Sequence, residues 1–508
     1  MDKRRFIINL ISNFLGAVSG LGISFFLTPY IVETLGKEAY GFYPLANNFV
    51  LYTGILTTAL NSMSGRYITI SLEKQEVKEV NVYFNSVFFG NLLFALLFLC
   101  LSFLFCVFID QILDIPSQLL PDVRLLFACI FFSMIIGLAS SVFSVSAFAL
   151  NRFDILAFNN IISNIIKLIL TIGLFYFLKP HIYYLGIVVA LTAVYYFFIS
   201  YRNTRKLLPI INISRDFFSW NALSLLMGAG IWNSIMALSM VINSQLDLLI
   251  ANKFFTASGM GVLSLTKFVP NSTQLLLSIV VPIFLPDMLK AYANQDIDRL
   301  KTNLDFSFKA VFFVVLIPLA IFFVYGEDFF KLWLPGEDHH TLYLLSLITL
   351  APLVVHATIE TVYHIFVITN KLKIASFWGI FISVSNLVLA LAMCRYSNLG
   401  IYSIPLAALV TGVLSHLIFT PLYASYCLQE SNWYFLLKIG KGLLGFVILV
   451  GTAFLWKVTV PIDSDTWLAF IFNTVIVLVI TSMIALFLNF DKKTIIYFIN
   501  KLKKEQRS

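Results

Sequence analysis

The chain has 508 residues, of which 59% are hydrophobic and only 12% are charged, and its formal net charge is +8. About a quarter of the residues of a soluble domain are charged, so this composition excludes a soluble globular protein and indicates a chain that lies mostly within a membrane. The positive charge draws the polar segments to anionic headgroups, and we expect no nucleic-acid partner. The five cysteines show no disulfide or metal-ligand spacing.

Fourteen apolar stretches follow one another along the chain with short polar breaks. A helix of about 20 apolar residues crosses the hydrocarbon core, so each stretch predicts a membrane-spanning helix. The predicted spans are 6–32, 42–64, 82–109, 123–149, 154–178, 183–201, 221–251, 259–285, 306–325, 341–368, 374–394, 400–426, 443–460 and 466–488. The first stretch continues to Val32, past the length of a signal peptide, and predicts a retained helix.

The lysines and arginines predict the orientation of these spans. With the N-terminus in the cytoplasm, 25 of the 34 basic residues fall in inner segments, seven in outer segments and two inside spans. Positive residues concentrate on the cytoplasmic side, so both termini of this multi-pass chain are predicted to be cytoplasmic. The residues after the last span mix apolar and basic side chains, which predicts an amphipathic tail on the inner membrane surface.

The sequence also repeats itself at one spacing. A shift of 219 carries Asn151–Ile155 onto Asn370–Ile374, and a shift of 220 carries Gly41 onto Gly261. A fixed spacing marks a duplicated unit, and six spans per unit make the two units enter the membrane in the same direction. The predicted fold is an all-α polytopic membrane protein, with two parallel six-helix repeats around a central cavity and two further C-terminal transmembrane helices.

The repeats and the polar breaks predict the organisation of the chain. The predicted parts are an N-lobe (1–205), a cytoplasmic inter-lobe loop (206–220), a C-lobe (221–426), a cytoplasmic linker (427–442), transmembrane helices thirteen and fourteen (443–488) and a cytoplasmic amphipathic basic tail (489–508).

Polar side chains at helical spacing predict which faces line the cavity. Lys267, Asn271, Gln274 and Ser278 lie on one face of the eighth span. A shift of 220 places the start of this stripe on the second span, where the candidates are Asn47 and Asn61, and the first span adds Asn13. Polar residues in a membrane face water or protein. Helix packing by small and polar residues is the alternative for each uncharged position.

Three basic residues are candidates for contact with an anionic ligand. Lys267 and Lys167 lie too deep in their spans to reach water easily, so each needs a partner. Arg66 closes the second span at the inner surface, where ordinary anchoring is an equal alternative. Asp247 is the candidate structural partner of Lys267.

The tenth span places His356, Glu360 and His364 on consecutive turns. No cysteine or further carboxylate lies nearby, so we expect no metal site. A carboxylate that responds to a proton or a sodium ion is one interpretation and a buried polar seam is the other. Asp247 and Glu360 are therefore the candidate ion-coupling residues, and no other cofactor is expected.

The duplicated six-span pattern, the glycine-bearing turn Leu35–Gly41 and the cytoplasmic loops at Asn151–Phe153 and Asn370–Leu372 resemble the MOP transporter superfamily. Within it, the chain is most similar to the Wzx-type polysaccharide flippases over residues 1–426. Most of these have twelve spans, whereas the fourteen predicted here match the arrangement of the lipid II flippase MurJ.

The resemblance implies a flippase in the bacterial cytoplasmic (inner) membrane. It would translocate undecaprenyl-diphosphate-linked oligosaccharide repeat units by alternating access, for cell-surface polysaccharide assembly. The implied partners are this lipid-linked glycan, membrane lipids, and a polysaccharide polymerase or glycosyltransferases, and the implied state is a monomer.

The residues support the same class of substrate. Lysine supplies a point charge for a diphosphate, and amides and hydroxyls bind sugar hydroxyls. The alternative on the same fold is a cation-coupled multidrug extruder of the MATE type, which needs an acidic cavity, and here Asp247 and Glu360 compete with the three cations. An enzyme is not expected, because Gly326–Thr341, the longest predicted outer connection, is too short for a catalytic domain.

Overall fold

The structure is a computed structural model, and it describes residues 3–150, 152–460 and 464–489. Within these ranges the chain is helical and contains no strand, which confirms the all-α prediction. Apart from Asn489, the predicted basic tail lies outside the described residues.

The helices are numbered in chain order. The first half of the chain contains α1 (Lys3–Glu73), α2 (Val77–Val107), α3 (Ile109–Ile112), α4 (Leu120–Ser140), α5 (Ser144–Ala149), α6 (Phe153–Phe177), α7 (Tyr183–Leu207), α8 (Trp220–Ser244) and α9 (Asp247–Thr266). The second half contains α10 (Phe268–Val280), α11 (Leu285–Ala293), α12 (Ile297–Val311), α13 (Ile317–Trp333), α14 (His339–Ile359), α15 (Tyr363–Ile368), α16 (Leu372–Tyr396), α17 (Ser403–Leu414), α18 (Thr420–Leu428), α19 (Trp433–Thr459) and α20 (Trp467–Asn489).

Twelve helical segments of the described chain are long and apolar enough to cross a membrane. Two of them exceed a single crossing, because Phe14–Ile55 has 42 residues and Ser234–Ala293 has 60. At about 1.5 Å per residue they contain roughly 60 and 90 Å of helix along the chain, at least twice the ~30 Å hydrocarbon core. Each therefore contains two of the predicted spans, and the chain is a multi-pass membrane protein.

Two boundaries differ from the prediction. Residues 33–41 contain a kink rather than a loop, because two helices within α1 meet at Gly36 and the neighbouring residues stay helical. The seventh span ends at Ser244 rather than near residue 251, because α9 begins at Asp247. A kink of one residue leaves fewer backbone groups without an intrahelical partner than a loop does.

The same backbone break occurs once in each repeat. Gly36 interrupts α1 with φ 82° and ψ 158°, and Thr256 interrupts α9 with φ 64° and ψ −179°. The two positions are 220 residues apart, which is the spacing of the repeat. Glycine adopts a positive φ freely, whereas a β-branched residue is strained there. The second repeat therefore has the same break at a β-branched residue, for which a positive φ is unfavourable.

The two glycines related by the repeat contact each other. A Cβ atom built on Gly41 would lie 2.9 Å from the Cα atom of Gly261, and one built on Gly261 would lie even closer to the carbonyl oxygen of Lys37. Only hydrogen fits at either position unless the backbone moves. A residue that contacts its own repeat equivalent lies on the axis that relates the two copies, so this axis passes between Gly41 and Gly261.

Packing divides the chain into two compact units. The first comprises Met1–Leu265 with Ser376–Ile404, and the second comprises Thr266–Ala375 with Pro405–Ser508. In the first unit, α4 packs against α7, and α1 packs against α6 and α8. This division follows helix packing rather than the duplication, so the lobe, loop and linker boundaries from the sequence stay predictions.

Two buried asparagines of α2 hold the connection that follows α7. The side chain of Asn81 donates to the carbonyl oxygen of Ile210 at 3.1 Å and accepts from the backbone N–H of Asn212 at 2.6 Å. Asn85 repeats the pattern one turn on, donating to the carbonyl oxygen of Asn212 at 2.8 Å and accepting from the N–H of Ser214 at 3.0 Å. Each asparagine side chain thus forms the pair of hydrogen bonds that a neighbouring β-strand would form with this backbone. These bonds fix the path of this part of the predicted inter-lobe loop.

In the second unit, α19 and α20 pack on α13 and α14. Phe446 and Leu449 of α19 and Ala485 of α20 are buried in one apolar cluster with residues of α13 and α14. Toward the other end of α19, the Lys457 ammonium group lies 2.7 Å from an oxygen of the Asp328 carboxylate. The last two predicted spans thus belong to the core of this unit.

The paired breaks predict opposite effects of one exchange. Thr256→Gly removes a β-branched side chain from positive φ and should raise the free energy of unfolding by about 1 kcal/mol, while Gly36→Thr should lower it by about 1–2 kcal/mol. A Cβ atom at Gly36 meets no atom within 4 Å, so the effect there is one of backbone conformation alone. Thermal unfolding in detergent measures both, and a stabilising Gly36→Thr would contradict the assigned backbone geometry.

Candidate functional site

The predicted polar stripe lies on the exposed face of α10. Asn271, Gln274 and Ser278 are exposed, and Lys267, the residue before the helix, is half-buried. The buried face of the helix contains Pro270, Thr273 and Leu277. An exposed polar face is costly in hydrocarbon, so this face is suited to water and to a polar ligand rather than to helix packing.

The candidates on α1 are less uniform. The side chain of Asn47 is half-buried and donates to the carbonyl oxygen of Tyr43 at 2.9 Å. Asn61 accepts from the Asn91 amide at 3.4 Å, so it contributes to packing between α1 and α2, which is the alternative for an uncharged position. Arg66 is exposed. The side chain of Asn13 lies outside the part of the chain that the structure describes.

The first unit contains two equivalent polar seams. In the first repeat, the Asn164 amide of α6 donates to the hydroxyl of Ser19 in α1 at 3.1 Å. In the second, the hydroxyls of Ser239 in α8 and Ser383 in α16 are 2.9 Å apart. Ser239 is Ser19 shifted by 220 residues, and Ser383 is Asn164 shifted by 219. The sequence repeat is therefore also a repeat of helix contacts.

Lys167 stands where the second seam has an asparagine whose amide donates a hydrogen bond. A shift of 219 carries it onto Asn386, whose amide donates to the side-chain oxygen of Asn243 at 3.1 Å. The residue equivalent to Asn243 in α1 is Ile23, which offers no polar side chain. Lys167 is half-buried, and among the described residues it forms no ion pair. A half-buried charge costs free energy unless it is paired, so this position favours an anionic ligand.

Glu360 lies in a buried polar cluster of the second unit. An oxygen of its carboxylate is 2.5 Å from Nε2 of His356, and the side chains of these two residues are 24% and 18% exposed. The Nε2 atom of His364 has a different partner, the carbonyl oxygen of Val281 at 3.2 Å. The helix also changes at this point, since α14 ends at Ile359 and a 3₁₀ turn follows. The three predicted side chains therefore do not form one row on a continuous α-helix.

A second histidine completes the cluster from another helix. The rings of His356 and His416 are 4.6 Å apart, and the Tyr363 hydroxyl lies 3.4 Å from Nδ1 of His416 and 3.3 Å from the hydroxyl of Thr420. His416 belongs to a π-helical turn, Ser415–Phe419, which precedes Pro421. Such turns are frequent at functional sites. The spacing in the sequence gives no sign of this residue, because it is 60 positions from its partner.

Asp247 begins α9, and its carboxylate accepts from the backbone N–H of Leu248 at 2.8 Å. This is the position at which a carboxylate stabilises the positive end of a helix. The proposed pairing of Asp247 with Lys267 stays a prediction.

The chain is similar to one curated protein and to several solved structures, and no family model matches it. It is 27% identical to the uncharacterized membrane protein EpsK of Bacillus subtilis (strain 168) over 469 residues, which are 91% of each chain. The lipid II flippase MurJ in an inward closed conformation aligns with 94% of this chain and 99% of its own, with a TM-score of 0.68 and 15% identity.

A multidrug resistance MATE family transporter of the MOP superfamily, in an inward-facing conformation, aligns with 84% of this chain and 99% of its own. Its TM-score is 0.67 and its identity 14%. At these identities the comparisons concern the fold, and they confirm the MATE/MOP-like fold predicted from the sequence.

The equivalence of Lys167 and Asn386 gives a stability prediction. Lys167→Asn should raise the free energy of unfolding by about 1 kcal/mol, because a half-buried charge is replaced by a neutral amide. The reverse change at the equivalent position, Asn386→Lys, should lower it by about 2 kcal/mol, because it removes a hydrogen bond and adds a charge. Thermal unfolding of the two variants in detergent distinguishes the roles. A similar loss of stability in both would make Lys167 a structural residue.

Proposed function

We propose that the chain is a flippase that moves undecaprenyl-diphosphate-linked oligosaccharide repeat units across the bacterial cytoplasmic membrane, for cell-surface polysaccharide assembly. The observation that carries the proposal is Lys167, a half-buried cation at a seam where the other repeat has a paired amide. A protein keeps such a charge where a ligand supplies the counter-charge. The likeness of fold to MurJ, a lipid II flippase, supports the same class of cargo.

The cargo has an anionic head that must cross hydrocarbon and a prenyl tail that need not leave it. Lys167, Lys267 and Arg66 supply charge for the diphosphate. The amides of Asn271 and Gln274 suit sugar hydroxyls. Alternating access between two conformations then carries the head across, with both termini in the cytoplasm and one chain as the working unit.

The proposal includes no chemical step. Residues 334–338, between α13 and α14, are the part of the longest predicted outer connection that is not helical, which leaves little chain for a catalytic domain. The proposed partners are glycosyltransferases, which make the glycan, and a polysaccharide polymerase, which consumes it. A multidrug extruder of the MATE type is the rival function. It is less well supported, because the Glu360 carboxylate that would attract a cationic drug is already engaged by His356.

Lys267 tests the substrate. In liposomes that contain a fluorescent undecaprenyl-diphosphate-linked oligosaccharide, Lys267→Ala should reduce translocation at least tenfold, because a charged contact to a phosphate contributes about 1.5–3 kcal/mol. Lys267→Arg should retain part of the activity. Lys253→Ala, a change at an exposed lysine of α9, is the matched control and should leave translocation unchanged.

Two results would oppose the proposal. If the double change Lys267→Ala with Asp247→Ala restores full translocation, the lysine is only a structural partner of the aspartate. If the same liposomes move ethidium and not the lipid-linked glycan, the chain is an extruder of cationic drugs.

The cluster around Glu360 tests coupling to a proton or sodium ion. A ligand shifts a conformational equilibrium only by its differential affinity for the two states, so an ion must bind differently in each. Glu360→Gln should retain translocation down a glycan gradient and lose acceleration by an imposed ion gradient. His340→Gln, at an exposed histidine beside Glu327, is the control. Full gradient dependence in Glu360→Gln would exclude Glu360 from this role.

A further inference from the structure

The second unit contains a cavity of ≈ 480 Å³ between α12, the π-helical turn Phe312–Leu316, α14, α19 and the end of α20. Its lining includes three basic residues, Lys309 on α12 and Lys438 and Lys441 on α19. Other lining residues are apolar and include Phe312, Leu316, Leu444 and Leu488. We refer to this cavity as the lysine pocket. None of these side chains is among the candidate substrate residues.

Basic residues outnumber acidic residues among the described residues that line the pocket. The Lys438 ammonium group lies 2.5 Å from an oxygen of the Asp305 carboxylate, and Lys309 and Lys441 line the same cavity. Lysines that line one cavity repel one another, and an anion that enters the cavity relieves this repulsion.

Two glycines shape the apolar part. A Cβ atom on Gly445 would lie 2.8 Å from the Phe312 ring, and one on Gly442 would lie 3.1 Å from the Thr358 side chain. The glycines allow α19 to approach α14 and the π-helical turn Phe312–Leu316 closely. That turn precedes Pro318, whose ring prevents a regular helical hydrogen bond there. The wall of the pocket is thus formed by the π-helical turn Phe312–Leu316 packed against a face of α19 that has no side chains at Gly442 and Gly445.

The pocket lies at the helix ends that the basic residues assign to the cytoplasm. Lys438 and Lys441 are in the first three turns of α19, and Leu488 and Asn489 are the last residues of α20. This is the level of the inner headgroups, where lysines and arginines collect. Basic pockets between transmembrane helices on this side are suited to anionic lipid headgroups.

From this arrangement we propose that the lysine pocket binds the phosphate headgroup of an anionic phospholipid of the cytoplasmic leaflet, with one acyl chain along the apolar wall. A free phosphate would use the lysines and leave the apolar part of the cavity unfilled. The bound lipid would tie α19 and α20 to α12 and α14, and so stabilise the unit in proportion to the lipid concentration.

The experiment compares lipids on the purified full chain in detergent. Native mass spectrometry and thermal unfolding are measured with phosphatidylglycerol, with phosphatidylcholine and with inorganic phosphate. Of these three additives, only phosphatidylglycerol should remain bound to the protein and raise its unfolding temperature. The change Lys309→Gln with Lys441→Gln should weaken this binding at least tenfold. Arg202→Gln with Lys206→Gln removes the same charge from the cytoplasmic end of α7, outside the pocket, and should leave the binding unchanged.

Folding is controlled with a single change. Lys441 is exposed, so Lys441→Glu should fold and still lose the lipid. Equal binding of phosphatidylglycerol to this variant and to the unchanged chain would overturn the proposal, as would an equal stabilisation by inorganic phosphate. Displacement of phosphatidylglycerol by equimolar undecaprenyl diphosphate, abolished by Lys441→Glu, would also overturn it, because the pocket would then belong to the transported lipid.

Discussion

The hydrocarbon core offers no water to backbone amides and carbonyls, so each of these groups needs a partner within the protein. Helices satisfy this constraint internally, which is why the described chain is helical wherever it crosses. The departures from helix are short for the same reason. At Gly36 a single residue leaves helical geometry, and a second helix begins directly after this kink. Where the chain runs extended, near Asn212, side-chain amides of α2 take the place of a neighbouring strand.

The same constraint decides which polar side chains are available for function. Asn81, Asn85 and Asn61 are engaged by other parts of the protein, and their role is structural. Lys167 and the exposed face of α10 are the positions that we propose for a ligand. The contrast between Lys167 and its repeat equivalent Asn386 is informative because the repeat places both at equivalent positions. One repeat forms a hydrogen bond between two amides there, and the other holds a charge.

Much of this could be predicted from the sequence, because it depends on periodicity. All fourteen stretches that hydropathy predicts lie in helical segments of the structure. The shift of 220 residues correctly indicates equivalent structure in the two copies. The sequence predicts a glycine-bearing turn at Leu35–Gly41, but it does not show that the chain leaves helical geometry at Gly36 alone. Thr256 gives even less indication, because a β-branched residue predicts the opposite of a positive φ.

The sites were predictable only as far as they lie on one helix. The stripe on α10 follows from spacing alone, and it lies away from the buried face of the helix. The ring beside His356 in the Glu360 cluster belongs to His416, on another helix. The lysine pocket is lined by helices that begin at Ile297, His339, Trp433 and Trp467 and by the turn Phe312–Leu316. Such groupings depend on tertiary packing, which a single sequence does not contain. His356 and Glu360 pair on successive turns as their spacing predicts, whereas the change of helix pitch at Glu360 and the bond of His364 to the Val281 carbonyl could not be predicted.

The contact between Gly41 and Gly261 limits how the two halves of the gene can evolve. After a duplication, most paired positions are free to diverge, as Gly36 and Thr256 or Lys167 and Asn386 have done. At this one place the copies occupy each other's space, so a larger residue in either copy displaces the backbone of both. No second substitution can compensate by making the partner smaller, because glycine is already the smallest residue. Substitution is therefore more restricted at Gly41 and Gly261 than at the paired positions that differ between the two copies.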